Sequence, residues 1–386
     1  MNWEVDLAKN GEQTLKLNDI QLYSNYRPRE DAWKWVESQF DSTYTCYLII
    51  GLGLGYHAEK LVSLANGKPV YVYYFDQREL YFTPIKEAVN DISHIDFTNC
   101  QILIPNSFLN ALGNHPILPF LEDIKINQIT YKKFAYQMEQ NFHINVANEL
   151  FEPYPVVHKK AACLIASGPS LNETIYWIKN IENHVDIFVV GSALKMVLAH
   201  QIKPTAVIIS DAKSTITRQL EGVDYKGPLF YLSTASSDAV QLHKGPRYLL
   251  CQQGYPLAES LAAEKNLTLI ESGGSVATTA FSLIEELGYK QLVLFGQDLG
   301  FTGNATHAEA STSGRIVTKT NSLTKIKANN GDNIYSTKNL QTFLRWFNSK
   351  MQRTALTVTN TAYNGAKIDK VSYVNEQKLY KLLKKL

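Results

Sequence analysis

From residue 161 onward, short apolar runs alternate with stretches of helical periodicity. Ala161–Ile165, Asp186–Val190 and Ala206–Ser210 are predicted strands, and the predicted helices Leu171–Ile178 and Ala193–His200 separate them. The predicted strands are apolar throughout, as expected when helices cover both faces of a parallel sheet. This strict alternation predicts an α/β fold with a doubly wound, mainly parallel sheet.

The pattern continues to about residue 295. Further predicted strands are Leu229–Leu232, Tyr248–Cys251, Leu267–Ile270 and Leu292–Phe295. The segment Gly303–Lys338 is rich in Thr, Ser, Asn and Gly and is predicted to be a long loop or lid. Long polar loops over a site are often functional.

A smaller β-α-β pattern precedes this region. Tyr47–Ile50 and Val70–Phe75 are predicted strands, and the predicted helix His57–Ala65 lies between them. A longer predicted helix, Thr130–Phe151, ends at two closely spaced prolines, Pro153 and Pro155. The sequence therefore predicts two Rossmann-like domains, residues 1–155 and residues 156–386.

Composition excludes several classes of protein. The 386 residues carry a formal net charge of only +2, which indicates neither a nucleic acid nor a membrane as partner. The four cysteines are widely separated and are expected to be reduced thiols. No apolar run approaches the roughly 18 residues of a membrane span, and the amino terminus lacks a signal-peptide pattern. The expected location is cytoplasmic.

Three glycine-rich turns are candidates for binding a phosphate, because such turns present backbone N–H groups at the start of a helix. The first turn contains Gly51, Gly53 and Gly55, and Asp76 follows the next strand, where it could hold a ribose hydroxyl. Its spacing is G-x-G-x-G rather than G-x-G-x-x-G. A second ligand site and a simple tight turn both remain open.

The second turn, Ser167-Gly168-Pro169-Ser170, follows a predicted buried strand and precedes a helix. Proline favours the first turn of a helix, and the serine hydroxyls would lie near its free N–H groups. Ligand binding and helix capping are both consistent with this local pattern.

The third turn, Gly273-Gly274-Ser275, starts a strongly amphipathic predicted helix. Gln297 and Asp298 follow the next predicted strand, and Asp211 follows an earlier one. Ligands of open α/β sheets bind at the carboxyl edge of the strands, which favours a site formed by these polar strand ends.

His307 lies in a polar loop shortly after Asp298 and could act as a general base near its free pKa. An exposed loop histidine is the alternative. No His, Cys or carboxylate spacing indicates a metal site, and the G-x-x-x-x-G-K-[ST] motif does not occur.

Six motifs follow one another along the chain: Ile49-Ile-Gly-Leu-Gly-Leu-Gly-Tyr-His57, Ala166-Ser-Gly-Pro-Ser-Leu171, Val190-Gly-Ser-Ala-Leu194, Gly273-Gly-Ser-Val-Ala277, Gly296-Gln-Asp-Leu299 and Val358-Thr-Asn-Thr-Ala362. Together these motifs extend over most of the chain. They resemble the motility-associated factor (Maf) glycosyltransferases, whose central domain is similar to 6-hydroxymethylpterin diphosphokinase (MptE-like). The central domain is also similar to bacterial sialyltransferases.

The resemblance implies transfer of a nonulosonic acid, such as pseudaminic or legionaminic acid, from its CMP-activated form to Ser or Thr of flagellin or another protein. It implies a nucleotide-sugar site comprising Ser167, Gly168, Pro169, Ser170, Ser192, Asp211, Gly273, Gly274, Ser275, Gln297, Asn360 and Thr361. Val276 stands where the sialyltransferases have a second hydroxyl. His307 and Asp298 are the predicted catalytic residues, and no cofactor is required, although Mg²⁺ is left open.

Three alternatives remain at this point. A 6-hydroxymethylpterin pyrophosphokinase would use ATP and Mg²⁺, with Asp211 and Asp298 as candidate ligands. A methyltransferase would bind S-adenosylmethionine at the first glycine turn. A nucleotide-binding partner of flagellin would bind its ligand without turnover.

Overall fold

The computed structural model describes residues 1–85, 87–91, 99–148, 154, 159–303, 306–309, 311–312 and 323–384. The chain forms two compact units, Met1–Ile129 and Thr130–Leu386. The domain boundary predicted between residues 155 and 156 lies in segment 149–158, of which the structure describes only Tyr154. That boundary therefore stays a prediction.

The described residues of the first unit form six strands and four complete helices, and a fifth helix, α5, contains the division between the units. The strands are β1 (Trp3–Leu7), β2 (Gln13–Leu17), β3 (Ile20–Gln21), β4 (Cys46–Ile50), β5 (Val70–Tyr73) and β6 (Cys100–Leu103). The helices are α1 (Pro28–Gln39), α2 (Tyr56–Ala65), α3 (Glu79–Phe82), α4 (Asn106–Ala111) and α5 (Leu118–Ala147).

Two small sheets form this unit. Strands β1, β2 and β3 form an antiparallel sheet, whereas the second sheet is parallel, in the order β5-β4-β6. The predicted β-α-β pattern is confirmed by β4, α2 and β5. All five side chains of β4 are buried, which explains why its sequence is continuously apolar.

The second unit begins within α5 and carries the remaining elements. The strands are β7 (Ala161–Ile165), β8 (Val185–Val190), β9 (Ala206–Ile209), β10 (Leu229–Leu232), β11 (Arg247–Gln252), β12 (Leu269–Ile270), β13 (Gln291–Phe295), β14 (Thr324–Lys327), β15 (Asn333–Ser336), β16 (Thr357–Asn360) and β17 (Ser372–Tyr373). The helices are α6 (Leu171–Thr174), α7 (Trp177–Ile181), α8 (Leu194–Ala199), α9 (Ser237–Leu242), α10 (Pro256–Lys265), α11 (Val276–Glu286), α12 (Lys338–Lys350) and α13 (Glu376–Leu383), with 3₁₀ turns at Gly191–Ala193 and Ser214–Gln219.

Nine of these strands form one parallel sheet in the order β12-β11-β10-β9-β8-β7-β13-β16-β17. The side chains of β7, which lies between β8 and β13, are completely buried. The predicted α/β fold with a mainly parallel sheet is confirmed, and the seven strands predicted between Ala161 and Phe295 are all present.

The segment Gly303–Lys338 differs from its prediction as a loop. Its described part includes the antiparallel pair β14 and β15. Asn330-Gly331 lies in the turn between these strands, with Gly331 at a φ of +91°, and Asn-Gly is a strong hairpin signal. The polar composition of the segment obscured this signal. The strands β16 and β17 at one edge of the sheet were also missed, because Thr and Asn interrupt the apolar pattern of β16 and β17 has only two residues.

Two buried asparagines of α5 bind backbone groups beyond β9 and β10. The Nδ2 of Asn141 donates to the carbonyls of Ala212 and Thr234, at 2.9 and 3.2 Å, and its Oδ1 accepts from the N–H of Ser237. The Nδ2 of Asn145 donates to carbonyls that follow β10, at 2.8 and 3.0 Å. The helix thus satisfies polar backbone at the carboxyl edge of these strands.

The helix α5 has 30 residues, but it is not apolar. Within the described ranges, no helix combines the length and the hydropathy that crossing a bilayer requires.

Replacing Asn141 by alanine is expected to destabilise the protein by about 1–3 kcal/mol, because it leaves two buried carbonyls without a donor. The measurement is the shift of the denaturant midpoint. Asn148→Ala is the matched control, since Asn148 is exposed, follows the last residue of α5, and its side chain donates to the carbonyl of Ile144 in that helix. Equal midpoints for the two variants would contradict this role of Asn141.

Candidate functional site

The order of the strands creates a crevice at one place in the nine-stranded sheet. From β7 the chain moves outward through β8 to β12, and α11 then returns it to β13 on the other side of β7. The chain therefore leaves β7 toward β8 and β13 toward β16, in opposite directions along the sheet. Such a switch point is where open α/β sheets bind their ligands.

Backbone bonds join the two loops. The N–H of Ala166 donates to the carbonyl of Phe295, and the N–H of Gly168 donates to the carbonyl of Gly296, both at 2.8 Å. A Cβ on Gly168 would lie 2.1 Å from Oδ2 of Asp298 and 2.4 Å from the carbonyl of Gly296. Only glycine permits this approach.

Asp298 is buried beneath the loop that follows β7. Its Oδ2 accepts from the hydroxyl of Ser170 at 2.8 Å, and its Oδ1 accepts from the N–H of Ser170 at 3.2 Å. Burial raises the pKa of Asp298 to about 7, and the two bonds from Ser170 oppose this increase. The structure therefore brings together Gly168, Ser170 and Asp298, three of the residues that the sequence predicts for the site.

Ser192 also lies at this edge. It belongs to the 3₁₀ turn after β8, and its hydroxyl oxygen is 2.8 Å from that of Ser167. Its carbonyl accepts from the N–H of Thr312 at 3.4 Å. The loops after three neighbouring strands, β8, β7 and β13, thus contribute to one group of polar side chains.

The described part of the loop around His307 packs on the same group. The N–H of Ala308 donates to the carbonyl of Ser167 at 2.8 Å, and the N–H of Glu309 donates to Oδ1 of Asn172 at 3.1 Å. The Nδ1 of His307 is 2.8 Å from the hydroxyl of Thr306. His307 is half-buried and is adjacent in sequence to a residue bonded to the predicted donor loop.

Gln297, Asn360 and Thr361 are buried next to Asp298. The Nδ2 of Asn360 donates to the carbonyl of Gln297 at 3.3 Å, and the hydroxyl of Thr361 donates to the carbonyl of Leu294 at 3.0 Å. Oε1 of Gln297 is buried and accepts no hydrogen bond from the described residues. Asn360 and Thr361 thus support the loop after β13, and Gln297 retains an unused acceptor.

The third glycine turn forms a helix cap. The hydroxyl of Ser275 accepts from the N–H of Thr278 at 3.3 Å, and Gly274 has a φ of +86°. A Cβ on Gly273 would lie 2.4 Å from the ring of Trp346. The helix that follows packs across β7, β8 and β9. Its first turn lies at the carboxyl edge, because α11 connects the end of β12 to the start of the parallel strand β13.

Asp211 is part of a local turn. Its carboxylate accepts from the N–H of Lys213 at 3.0 Å and lies 3.5 Å from Nζ of the same residue. The side chain is half exposed. Among the described residues, no hydrogen bond joins Asp211 or the Gly273–Ser275 turn to the loop after β7, so these predicted site residues remain predictions.

In the first unit, Gly51, Gly53 and Gly55 form the turn between β4 and α2, each with a positive φ. Asp76 pairs with Arg78. The backbone donors Gly53 and Leu54 of this turn are bonded to side chains of the same unit, Glu79 and Tyr23. This geometry favours the tight-turn alternative over a second ligand site.

Two residues that hold the loops of the candidate site in place were not predicted from the sequence. Asn172 binds the loop around His307, and its signal was a polar residue two positions after Ser170. Lys350 is buried and lies 3.2 Å from Glu271 and 2.7 Å from Glu285, so it ties the third glycine turn to α11 and α12. A lysine on a helix face gives no local sign of partners 79 and 65 positions away.

The comparisons with known proteins agree with this architecture. Residues 132–304 match the family model described as 6-hydroxymethylpterin diphosphokinase MptE-like. The fold is similar to that of the MAf glycosyltransferase from Magnetospirillum magneticum AMB-1, with a TM-score of 0.52 and 16% sequence identity, over 98% of this chain and 71% of that chain. No curated protein matches the sequence.

The predicted resemblance is therefore confirmed in two respects. The chain contains an MptE-like domain, and it shares the fold of a Maf glycosyltransferase. The matched segment 132–304 includes the loops after β7, β8 and β13. The described strands that follow it, β14 to β17, lie outside the family model.

The raised pKa of Asp298 predicts a pH-dependent stability. Because the folded state favours the protonated acid, the stabilising contribution of Asp298 is present near pH 4 and is lost as the pH rises through about 7. Between pH 5 and 8, the unfolding free energy of Asp298→Asn is therefore expected to increase by about 1–4 kcal/mol relative to that of the parent protein. The control is the half-exposed Asp211→Asn. A difference between parent and Asp298→Asn that is independent of pH would contradict the prediction.

Proposed function

We propose that this chain is a glycosyltransferase. Its donor is a CMP-activated nonulosonic acid of the pseudaminic or legionaminic type, and its acceptor is a Ser or Thr hydroxyl of a protein, with flagellin as the first candidate. The observation that carries the proposal is the loop Ser167–Ser170, bonded to Asp298 at the switch point of the sheet. The likeness in fold to a solved glycosyltransferase supports it.

The donor phosphate is proposed to lie against the hydroxyls of Ser167 and Ser192. These hydroxyls are only 2.8 Å apart, and they come from the loops after adjacent strands. A phosphate oxygen accepting from both would replace a bond between two neutral groups by charge-assisted bonds, which are stronger. Gly168 lets this loop pack against Asp298 and the carbonyl of Gly296, which fixes the position of the adjacent Ser167.

The reaction forms a bond between the acceptor oxygen and the anomeric carbon of the sugar. It breaks the bond between that carbon and the phosphate oxygen, and CMP leaves with the bonding electrons. The hydroxyls near the phosphate stabilise the charge that develops on CMP. The acceptor proton passes to a general base, for which His307 is our candidate because its loop is bonded to Ser167.

Asp298 is proposed to act through Ser170 rather than on the substrate. Both oxygens of its carboxyl group face donors of Ser170, and its own carbonyl accepts from the N–H of Ala366 at 2.6 Å. A residue that is only 5% exposed has little surface for a ligand. Asp298 is thus a positioning residue that keeps the loop after β7 in place.

A pyrophosphokinase remains the main alternative enzyme, because the matched family model carries that name. Its Mg²⁺ would need carboxylate ligands. The two candidates are already engaged, Asp298 with Ser170 and Asp211 with Lys213. Strong Mg²⁺ dependence with release of AMP would favour this alternative. CMP binding without turnover on any CMP-sugar would indicate a non-catalytic partner of flagellin.

CMP is expected to stabilise the parent protein against heat, by about 2.7 kcal/mol at 100 times its dissociation constant. Gly168→Ala should abolish this shift, because the added Cβ meets Asp298 and the carbonyl of Gly296. Gly303→Ala is the matched control, since no atom of the described residues lies within 4 Å of a Cβ at that position. The thermal shift would also be measured with ATP, S-adenosylmethionine and NAD for comparison. An undiminished CMP shift in Gly168→Ala would exclude this loop as the donor site.

Replacing His307 by alanine should lower the rate of transfer by roughly 10²–10⁴-fold while CMP affinity is unchanged, since only general-base assistance is lost. The rate is measured as CMP release from CMP-pseudaminic or CMP-legionaminic acid with flagellin as acceptor. His184→Ala is the control, because His184 precedes β8 and so lies at the amino edge of the sheet. Unchanged turnover in His307→Ala would remove His307 from the mechanism.

A further inference from the structure

The glycine turn of the first unit has the backbone of an anion-binding site. Gly51, Gly53 and Gly55 have φ values of +94°, +50° and +82°, which favour glycine. The turn leads from the buried strand β4 into α2. Turns of this shape present N–H groups to the phosphate of a bound nucleotide.

In this chain the N–H groups bind an internal carboxylate. Oε2 of Glu79 accepts from the N–H of Gly53 at 2.8 Å, and its Oε1 accepts from the N–H groups of Phe75 and Asp76, at 2.6 and 3.1 Å. Glu79 is completely buried. Its two oxygens thus accept from three donors that belong to the two turns at the ends of β4 and β5.

The surroundings of the turn are filled by side chains of the same unit. A Cβ on Gly51 would lie 2.3 Å from the ring of Phe108, and one on Gly55 would lie 2.4 Å from the hydroxyl of Thr83. The hydroxyl oxygen of Tyr23 accepts from the N–H of Leu54 at 3.1 Å. The turn is therefore packed and bonded without any external ligand.

Asp76, the predicted ribose partner, is also engaged. Its carboxylate binds the guanidinium of Arg78, and this bond, more than any other cause, lowers the pKa of Asp76 to about 2. Both halves of a dinucleotide site, the phosphate turn and the ribose carboxylate, thus have partners within the chain.

We propose that this turn is a self-liganded anion site, in which the Glu79 carboxylate occupies the position of a ligand phosphate. The first unit consequently binds no nucleotide at this turn. It accepts a small external carboxylate, such as formate, only when the Glu79 side chain is truncated. This inference concerns the first unit and does not depend on the function proposed for the second.

The test is chemical rescue of the full chain. Burial raises the pKa of Glu79 to about 7, so the experiment is done at pH 8, where the native side chain is ionised. Glu79→Ala should unfold at a lower temperature than the parent, and sodium formate should restore part of the loss in a concentration-dependent way. Sodium chloride at equal ionic strength should not. Glu79→Gln is the matched variant, since it fills the cavity and should show no response to formate.

Two results would overturn the proposal. One is a Glu79→Ala variant that is as stable as the parent, or one whose unfolding temperature responds no more to formate than to chloride. The other is stabilisation of the parent by NAD, ATP or S-adenosylmethionine that Asp76→Ala abolishes, because it would place a nucleotide at this turn. If Glu79→Ala does not fold alone, its refolding yield with and without formate decides: recovery only with formate supports the proposal, and equal yields contradict it.

Discussion

The hydrogen bonds between the loops after β7 and β13 are the constraint on which the rest of the candidate site depends. The bond from Gly168 to Gly296 brings the two backbones so close that neither residue can carry a side chain. The carboxylate of Asp298 is buried at the same place, and its only hydrogen-bond donors among the described residues belong to Ser170. Because a buried carboxyl group without hydrogen-bond partners is costly, the bonds from Ser170 hold the two loops together.

The helix α5 has a complementary role at the same edge of the sheet. Its asparagines supply the donors for carbonyls that follow β9 and β10, where the chain would otherwise need water. These strand ends are therefore occupied by protein. The polar loops after β8, β7 and β13 follow the neighbouring strands of the sheet. The carboxyl edge thus has one part that Asn141 and Asn145 cover and another part that the polar loops of the candidate site line.

Much of the fold was predictable because burial leaves a local record in the sequence. The strand β7 is apolar at every position since both of its faces are covered, and its limits were predicted without error. The turn Ser167–Ser170 could be located for the same reason. Asp298 was assigned to the same site, but its bond to Ser170 could not be predicted, because the two residues are 128 positions apart and meet only through the strand order. Glu79 was missed for a related reason: nothing in its neighbours shows that a helix glutamate binds the backbone of a glycine turn.

The contact between the hydroxyls of Ser167 and Ser192 has a consequence for how a ligand would be received. Either oxygen can be the donor in that contact, and each hydroxyl carries one hydrogen. A single bond between them uses one of the two hydrogens and leaves the other to rotate. In either orientation, one hydroxyl hydrogen of the pair is therefore available to a ligand. An acceptor atom of the ligand can bind this hydrogen first, and the bond between the two serines can break afterwards.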